Sequence, residues 1–250
     1  MKGFYDREEL IKVKRNYMKT IGLIGGITWH STLDYYRMIN EMINDNLGGV
    51  ASAKLILHSV NFAEIKTLTE DNRWDLLAEC ITDIGLGLEE AGADCILICA
   101  NTMHKVADQV QQALAIPLIN IATETAKAIR KQDQRKVALL GTKYVMQMEF
   151  YRNKLAAHGI EAIIPGEEDI EYINSAIYNE MGKGIFLRET GARLLEITDG
   201  LVARGAQGVI LGCTEIPILL KDTPASVPMF DTARIHAMAA VEFALSHKLN

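Results

Sequence analysis

The chain reads as an α/β protein made of two pseudo-symmetric halves, each a mostly parallel sheet covered by helices, with a ligand cleft between them. Three observations lead there. From Thr20 onward, short aliphatic runs alternate with longer amphipathic ones, the order that parallel strands joined by crossover helices produce. The short runs are apolar almost throughout, as strands covered on both faces are. The whole pattern then occurs twice.

Taken in order, the expected strands are 20–25 (TIGLIG), 53–60 (AKLILHSV), 94–99 (DCILIC), 117–121 (PLINI), 136–141 (KVALLG), 161–165 (EAIIP), 208–212 (GVILG) and 228–231 (PMFD). Between the first two, 31–47 has a helical stripe of Tyr35, Met38, Ile39 and Met42, with Ser31 placed to cap it. A second helix over 73–92 runs out at Gly92, a residue suited to a helix C-terminus. Residues 1–17 are set apart as an N-terminal extension, because Met18 would itself make a natural start immediately before a strand.

The repeat is an alignment contained in one sequence. Residues 19–40 parallel 135–155, residues 90–104 parallel 203–217, and residues 116–129 parallel 227–241, in the same order. The implied architecture is two Rossmann-like domains: 18–117 with 232–250, and 118–231. Ligands of open α/β sheets bind beyond the carboxyl ends of the strands. Superposing the middle blocks puts Gly92 on Gly205, Cys99 on Gly212, Ala100 on Cys213, Asn101 on Thr214 and Thr102 on Glu215. Ala100 and Cys213 thus sit at mirrored strand ends, where two side chains can address opposite faces of one small molecule.

Composition narrows the function. A net charge of −6 argues against nucleic acid, which a basic face usually recognises. No apolar run is long enough to span a bilayer, so no membrane partner is expected. Four cysteines at 80, 95, 99 and 213 form no CxxC pair and read as reduced thiols of a cytoplasmic protein. His58, His158, His236 and His247 show no metal-ligand spacing, so no metal is expected. GLIGG at 22–26 lacks the full dinucleotide pattern. With no P-loop and no sign of a pyridoxal lysine, no cofactor is expected.

Cys213 alone reads as a buried structural thiol. The preceding glycine, the following Thr-Glu and the mirrored Ala-Asn-Thr loop turn that reading toward chemistry. Its place before a helix start at TEIPILL would favour the thiolate, lowering the pKa toward a general base useful near neutrality. Cys99 lies one residue too early in its strand and so faces the opposite way; it reads as core, as do Cys80 and Cys95. His104 and Glu215 are supporting candidates. His104 is expected in the first turn after the loop, near the cleft. Glu215 either tunes Cys213 or simply favours the helix start. Lys183 reads as an exposed loop lysine, and Trp29 and Trp74 as packing residues.

The segments GLIGGITW, ANTMHKVAD, LLGT, INSAIYNE and GCTEIPILL resemble the aspartate/glutamate racemase family of the Asp/Glu/hydantoin racemase superfamily, nearest its broad-specificity amino-acid racemases. The resemblance covers nearly everything after residue 18. It implies cofactor-independent racemisation of a small amino-acid substrate, aspartate, glutamate or a wider set, in a homodimer. One residue removes the Cα proton and a second, on the other face, returns one. Donors around the α-carboxylate stabilise the carbanion; the resemblance places them at Asn101, Thr102 and Thr214, with Thr142 and the backbone near Ile27 as weaker candidates.

Ala100 departs from that pattern, since the family has Cys, or in some members Thr, at this position. Alanine can neither accept nor donate a proton. An introduced substitution, a proton route through Thr102, His104 or water, and a different reaction on the same scaffold are the competing accounts. The third includes a single-cysteine decarboxylase of the arylmalonate type. A non-catalytic amino-acid-binding protein is a further alternative.

Overall fold

The computed structural model describes residues 18–221 and 226–246; the expected extension at 1–17 and His247 lie outside the described residues. Among the described residues, seven strands form two parallel sheets. The first holds β1 (Ile21–Gly25), β2 (Leu55–Ser59) and β3 (Cys95–Ile98) in the order β2-β1-β3. The second holds β4 (Lys136–Gly141), β5 (Glu161–Ile163), β6 (Val209–Gly212) and β7 (Met229–Asp231) in the order β5-β4-β6-β7. The two orders match strand for strand under the repeat. The expected strand at 117–121 survives only as a single parallel bridge from Leu118 to Ile96, at the place that β7 fills in the second sheet. The Asn120 side chain ends it early, accepting from the Ala122 and Thr123 N–H groups and so capping a helix.

Strands β1, β3, β4 and β6 carry the burial that continuous hydrophobicity predicts, whereas edge strand β2 is exposed over its last three residues. Eleven α-helices among the described residues cover the sheets. On the first lie α1 (Trp29–Leu47), α2 (Phe62–Glu70), α3 (Trp74–Glu90) and α4 (Ala107–Ala113). The second is covered by α5 (Ile121–Lys131), α6 (Lys143–Gln147), α7 (Glu149–Ala156), α8 (Glu167–Asn179), α9 (Arg188–Ala203) and the single-turn α10 (Ile216–Leu219). The last, α11 (Thr232–Leu245), follows β7 but packs on α1 and α5. Its small residues Ala233, Ala237, Ala240 and Ala244 pack with Tyr35, Ile39 and Ile43 of α1 against one face of the first sheet.

Alternation along the strands decides which side chains reach the cleft. Cys95, Leu97 and Cys99 pack with α1 and α11, while Ile96, Ile98 and Ala100 face the opposite way. In the second sheet Val209, Leu211 and Cys213 share one face and Ile210 takes the other. Gly92 and Gly205, superposed by the repeat, have φ of 95° and 96°, so the turn that enters each of these strands is the same left-handed turn. The cap of α1 is Thr28, which accepts from the Ser31 N–H, and not Ser31 itself. The helix begins two residues earlier than its apolar stripe suggests, with the exposed Trp29 and the half-buried His30 in its first turn.

Candidate active site

Beyond the carboxyl ends of β1, β3, β4 and β6 lies a cavity of about 600 Å³. Its lining includes Ile27, Ala100, Asn101, Thr102, Thr142, Cys213, Thr214 and Glu215, so every residue expected at the cleft is there except His104. Two glycines set the strand ends below it. Gly26 turns the chain after β1 at φ 88°, where an added Cβ would lie 2.3 Å from the Val60 carbonyl oxygen. Gly212 leaves room for the Leu140 carbonyl, 2.7 Å from where its Cβ would be, which is why the second half has glycine where the first has Cys99.

Polar side chains join the two halves across this cavity. Thr102 and Thr142, at the ends of β3 and β4, share a hydrogen bond of 3.0 Å. From the loop after β1, the Thr28 hydroxyl donates to Glu215 Oε1 at 3.0 Å, and the Ser31 hydroxyl meets Thr214 and lies 3.3 Å from the same carboxylate oxygen. Cys213 Sγ–H donates to Glu215 Oε2 at 2.9 Å, and Thr214 donates to the same oxygen at 2.7 Å. The Glu215 carboxylate, buried and held by four side chains, is therefore a fixed partner of Cys213 rather than a solvated helix-start charge.

This corrects the expected electrostatics of Cys213. Backbone N–H groups of Glu215 and Ile216 do favour the thiolate, but burial and the adjacent Glu215 carboxylate outweigh them and push the thiol well above its ordinary pKa. The physical reason is that α10 has only four residues, too short a dipole to offset desolvation and a negative neighbour. Cys213 is held as the neutral thiol, with a proton acceptor at hydrogen-bond distance.

His104 is also relocated. It is buried in the turn Thr102–Lys105 and does not line the cavity. Its Nδ1–H donates to the Ala100 carbonyl at 2.9 Å, and burial pushes its pKa down to about 4. A proton route through His104 is thereby set aside, because the ring lies behind the loop and resists charging. Cys99, fully buried, is pushed up by desolvation, and Cys95 to about 12; both are core. Cys80 is half-buried against the first core. Trp29, expected to pack, is 59% exposed and stacks on His30, because it opens the first turn of α1 on the solvent side. Trp74 packs edge-on against Tyr144.

Lys183 is exposed yet lines the cavity, together with Lys66 and Lys143. Lys66 is engaged by Glu70 at 2.6 Å; neither Lys143 nor Lys183 has an ion-pair partner among the described residues. Thr28, Lys143 and Tyr178 were not singled out from the sequence, and Ser31 only as a helix cap. The repeat carried the signal for Thr28 and Ser31, because it sets the loop after β1 opposite the loop of Thr142. No group of three or more His, Cys, Asp or Glu among the described residues could hold a metal ion, and no helix there is long and apolar enough to cross a membrane.

Comparison with known proteins identifies the family and the fold. Residues 24–240 match the family model described as Asp/Glu/hydantoin racemase. The broad specificity amino-acid racemase RacX of Bacillus subtilis is 26% identical over 176 residues, covering 70% of this chain and 75% of that protein. Among solved structures, a Yersinia pestis protein described as an Asp/Glu racemase candidate is 46% identical with a TM-score of 0.86, covering 92% of this chain and all of that one. PH1733 of Pyrococcus horikoshii, an aspartate racemase homologue, is 36% identical with a TM-score of 0.81 over 92% of this chain and 100% of its own.

Proposed function

The chain belongs to the Asp/Glu/hydantoin racemase family, and on that premise we propose that it works at the Cα proton of an amino acid with a second carboxylate, using Cys213 on one face and no base at Ala100 on the other. In this reading the lobes are 18–117 with 232–250, and 118–231, and the substrate lies between them. The observation that carries the proposal is Cys213 with the Glu215 carboxylate at 2.9 Å, in a cavity that also contains residue 100.

The chemistry follows from that pair. The Cys213 S–H bond breaks as its proton passes to Glu215, and the resulting thiolate takes the Cα proton. The electron pair left on Cα delocalises into the α-carboxylate, and donors must already stand where that charge grows. The Asn101 and Thr214 backbone N–H groups, which have no protein acceptor among the described residues, and the Thr102 and Thr142 hydroxyls are the assigned donors. Lys143 and Lys183 are assigned to the side-chain carboxylate. With a methyl group at position 100, the Cys213 thiol, once its hydrogen has exchanged with solvent, returns a proton to the same face of Cα. Exchange without inversion is the expected outcome.

Incubation of each enantiomer of aspartate and glutamate in D2O tests this. Deuterium should enter Cα of one enantiomer with little inversion, and Cys213→Ser should lower that exchange by at least about 100-fold. Brisk racemisation that survives Cys213→Ser would refute the proposal, and tight binding without any exchange would favour a binding protein instead. One observation favours a second reading. A single thiol kept protonated is suited to donating a proton to a carbanion made by decarboxylation. Carbon dioxide release from disubstituted malonates, with none of the deuterium exchange, would select it. Self-association as a homodimer belongs to the same proposal, and sedimentation of the purified protein tests it.

A further inference from the structure

Behind the Ala100 loop lies a buried polar chain that the proton transfer does not use. His104 Nδ1–H donates to the Ala100 carbonyl at 2.9 Å. The His104 ring packs edge-on against His236, 5.4 Å between centroids. His236 Nε2–H in turn donates to the Ile119 carbonyl at 2.7 Å, so its Nδ1 accepts from the Tyr35 hydroxyl at 2.8 Å. Both imidazoles are buried and neutral, with pKa values pushed down to about 4 and about 3. Beside this chain, Asn101 Nδ2 donates to Thr232 Oγ1, which donates onward to the Leu211 carbonyl.

A peptide unit is planar, and in its trans form the carbonyl and the following N–H point in opposite directions. The bond from Ala100 to Asn101 is trans, since the only cis bond among the described residues joins Ile27 and Thr28. A carbonyl drawn back to His104, away from the cavity, turns the Asn101 N–H forward. The mirrored loop has the same device in another material. There the Ile216 N–H donates to the Cys213 carbonyl at 3.3 Å, which turns the Thr214 N–H the opposite way. One half holds its peptide with backbone, the other with a histidine.

We propose that His104 is a positioning residue: it fixes the Ala100–Asn101 peptide plane so that the Asn101 N–H is presented to a carboxylate in the cavity, as the counterpart of the Thr214 N–H. The carboxylate rests on the functional reading above; the orientation of the peptide does not.

The test separates the two. Asparagine carries its amide nitrogen close to where Nδ1 stands, whereas glutamine carries it near Nε2 and leucine has no donor. The residual dipolar coupling of the Asn101 N–H, measured without ligand, should change in His104→Leu and His104→Gln and stay near the parent value in His104→Asn. Calorimetry with aspartate and glutamate should show weakening of about tenfold or more in the first two, recovered in the third. An unchanged coupling in His104→Leu overturns the inference whatever the protein binds. Equal loss in all three variants, at unchanged thermal stability, also overturns it, because a packing role alone would produce that. If no amino acid binds the parent protein while the couplings behave as stated, the orientation stands and the functional reading of the site fails.

Discussion

At the scale of single residues, the site is a contest between burial and hydrogen bonding at Cys213. Desolvation and the Glu215 carboxylate raise the thiol pKa, and two backbone N–H groups only partly oppose them. Where the thiolate is the acting base, its population grows with pH. Deuterium exchange at saturating substrate should therefore rise through the alkaline range, and Glu215→Gln, which removes the negative neighbour and the proton acceptor together, should shift that profile to lower pH while lowering its plateau. A profile unchanged in Glu215→Gln would detach the carboxylate from the thiol. Residue 100 offers the converse experiment. Ala100→Cys or Ala100→Thr supplies a group able to carry a proton, and net racemisation should appear or increase by at least about tenfold; no gain would mean that the second proton never passes through this position. Ala100 was conspicuous in the sequence because the repeat set it against Cys213. Thr28 and Ser31 were not, since two hydroxyls on a loop have no pattern until folding brings them to Glu215.

Among elements, short turns do the positioning that longer helices would do less sharply. The turn from β1 into α1 uses Gly26 at φ 88° against the Val60 carbonyl. Gly26→Ala should cost about 2 kcal/mol or more through strain and the required shift of backbone, read as a lowered denaturation midpoint, and should also disturb the Thr28 and Ser31 contacts to Glu215. Thr28→Ala should cost about 1 kcal/mol as the loss of a helix cap, and it also removes a donor from the Glu215 carboxylate. Strands were legible because β1, β3, β4 and β6 are buried on both faces and so carry unbroken apolar runs. The segment 117–121 misled for a local reason. Its apolar residues suit a strand, but the Asn120 side chain caps α5 and diverts the chain after one bridge.

For the molecule as a whole, the buried imidazoles tie stability to pH. His104 and His236 take up protons in the unfolded chain near 6.5 but only near 4 and near 3 in the fold. The unfolded chain therefore binds more protons between those values, and stability falls as pH drops from about 6.5 toward 4. For His104 alone the loss is on the order of 3 kcal/mol, with Asp108 and Lys154 acting on it in opposite senses. Thermal melts across pH 4 to 7 should show the decline, and His104→Asn should flatten its share. Substrate is expected to act globally too. Aspartate or glutamate bridging the lobes should raise the melting temperature, and Lys183→Met should weaken that ligand by about tenfold.

Much of this protein is written in its local chemistry. Apolar runs of strand length, amphipathic stretches between them and a sequence that repeats itself determined two parallel α/β halves. The repeat also determined that residues 100 and 213 are counterparts at strand ends. Those properties depend on periodicity and chain order, which a linear text preserves. Only the tertiary structure decided the protonation of Cys213, the withdrawal of His104 behind the loop and the convergence of Thr28, Ser31 and Thr214 on Glu215. Each of those depends on desolvation and on contacts between residues far apart in the chain, and burial and charge act through space.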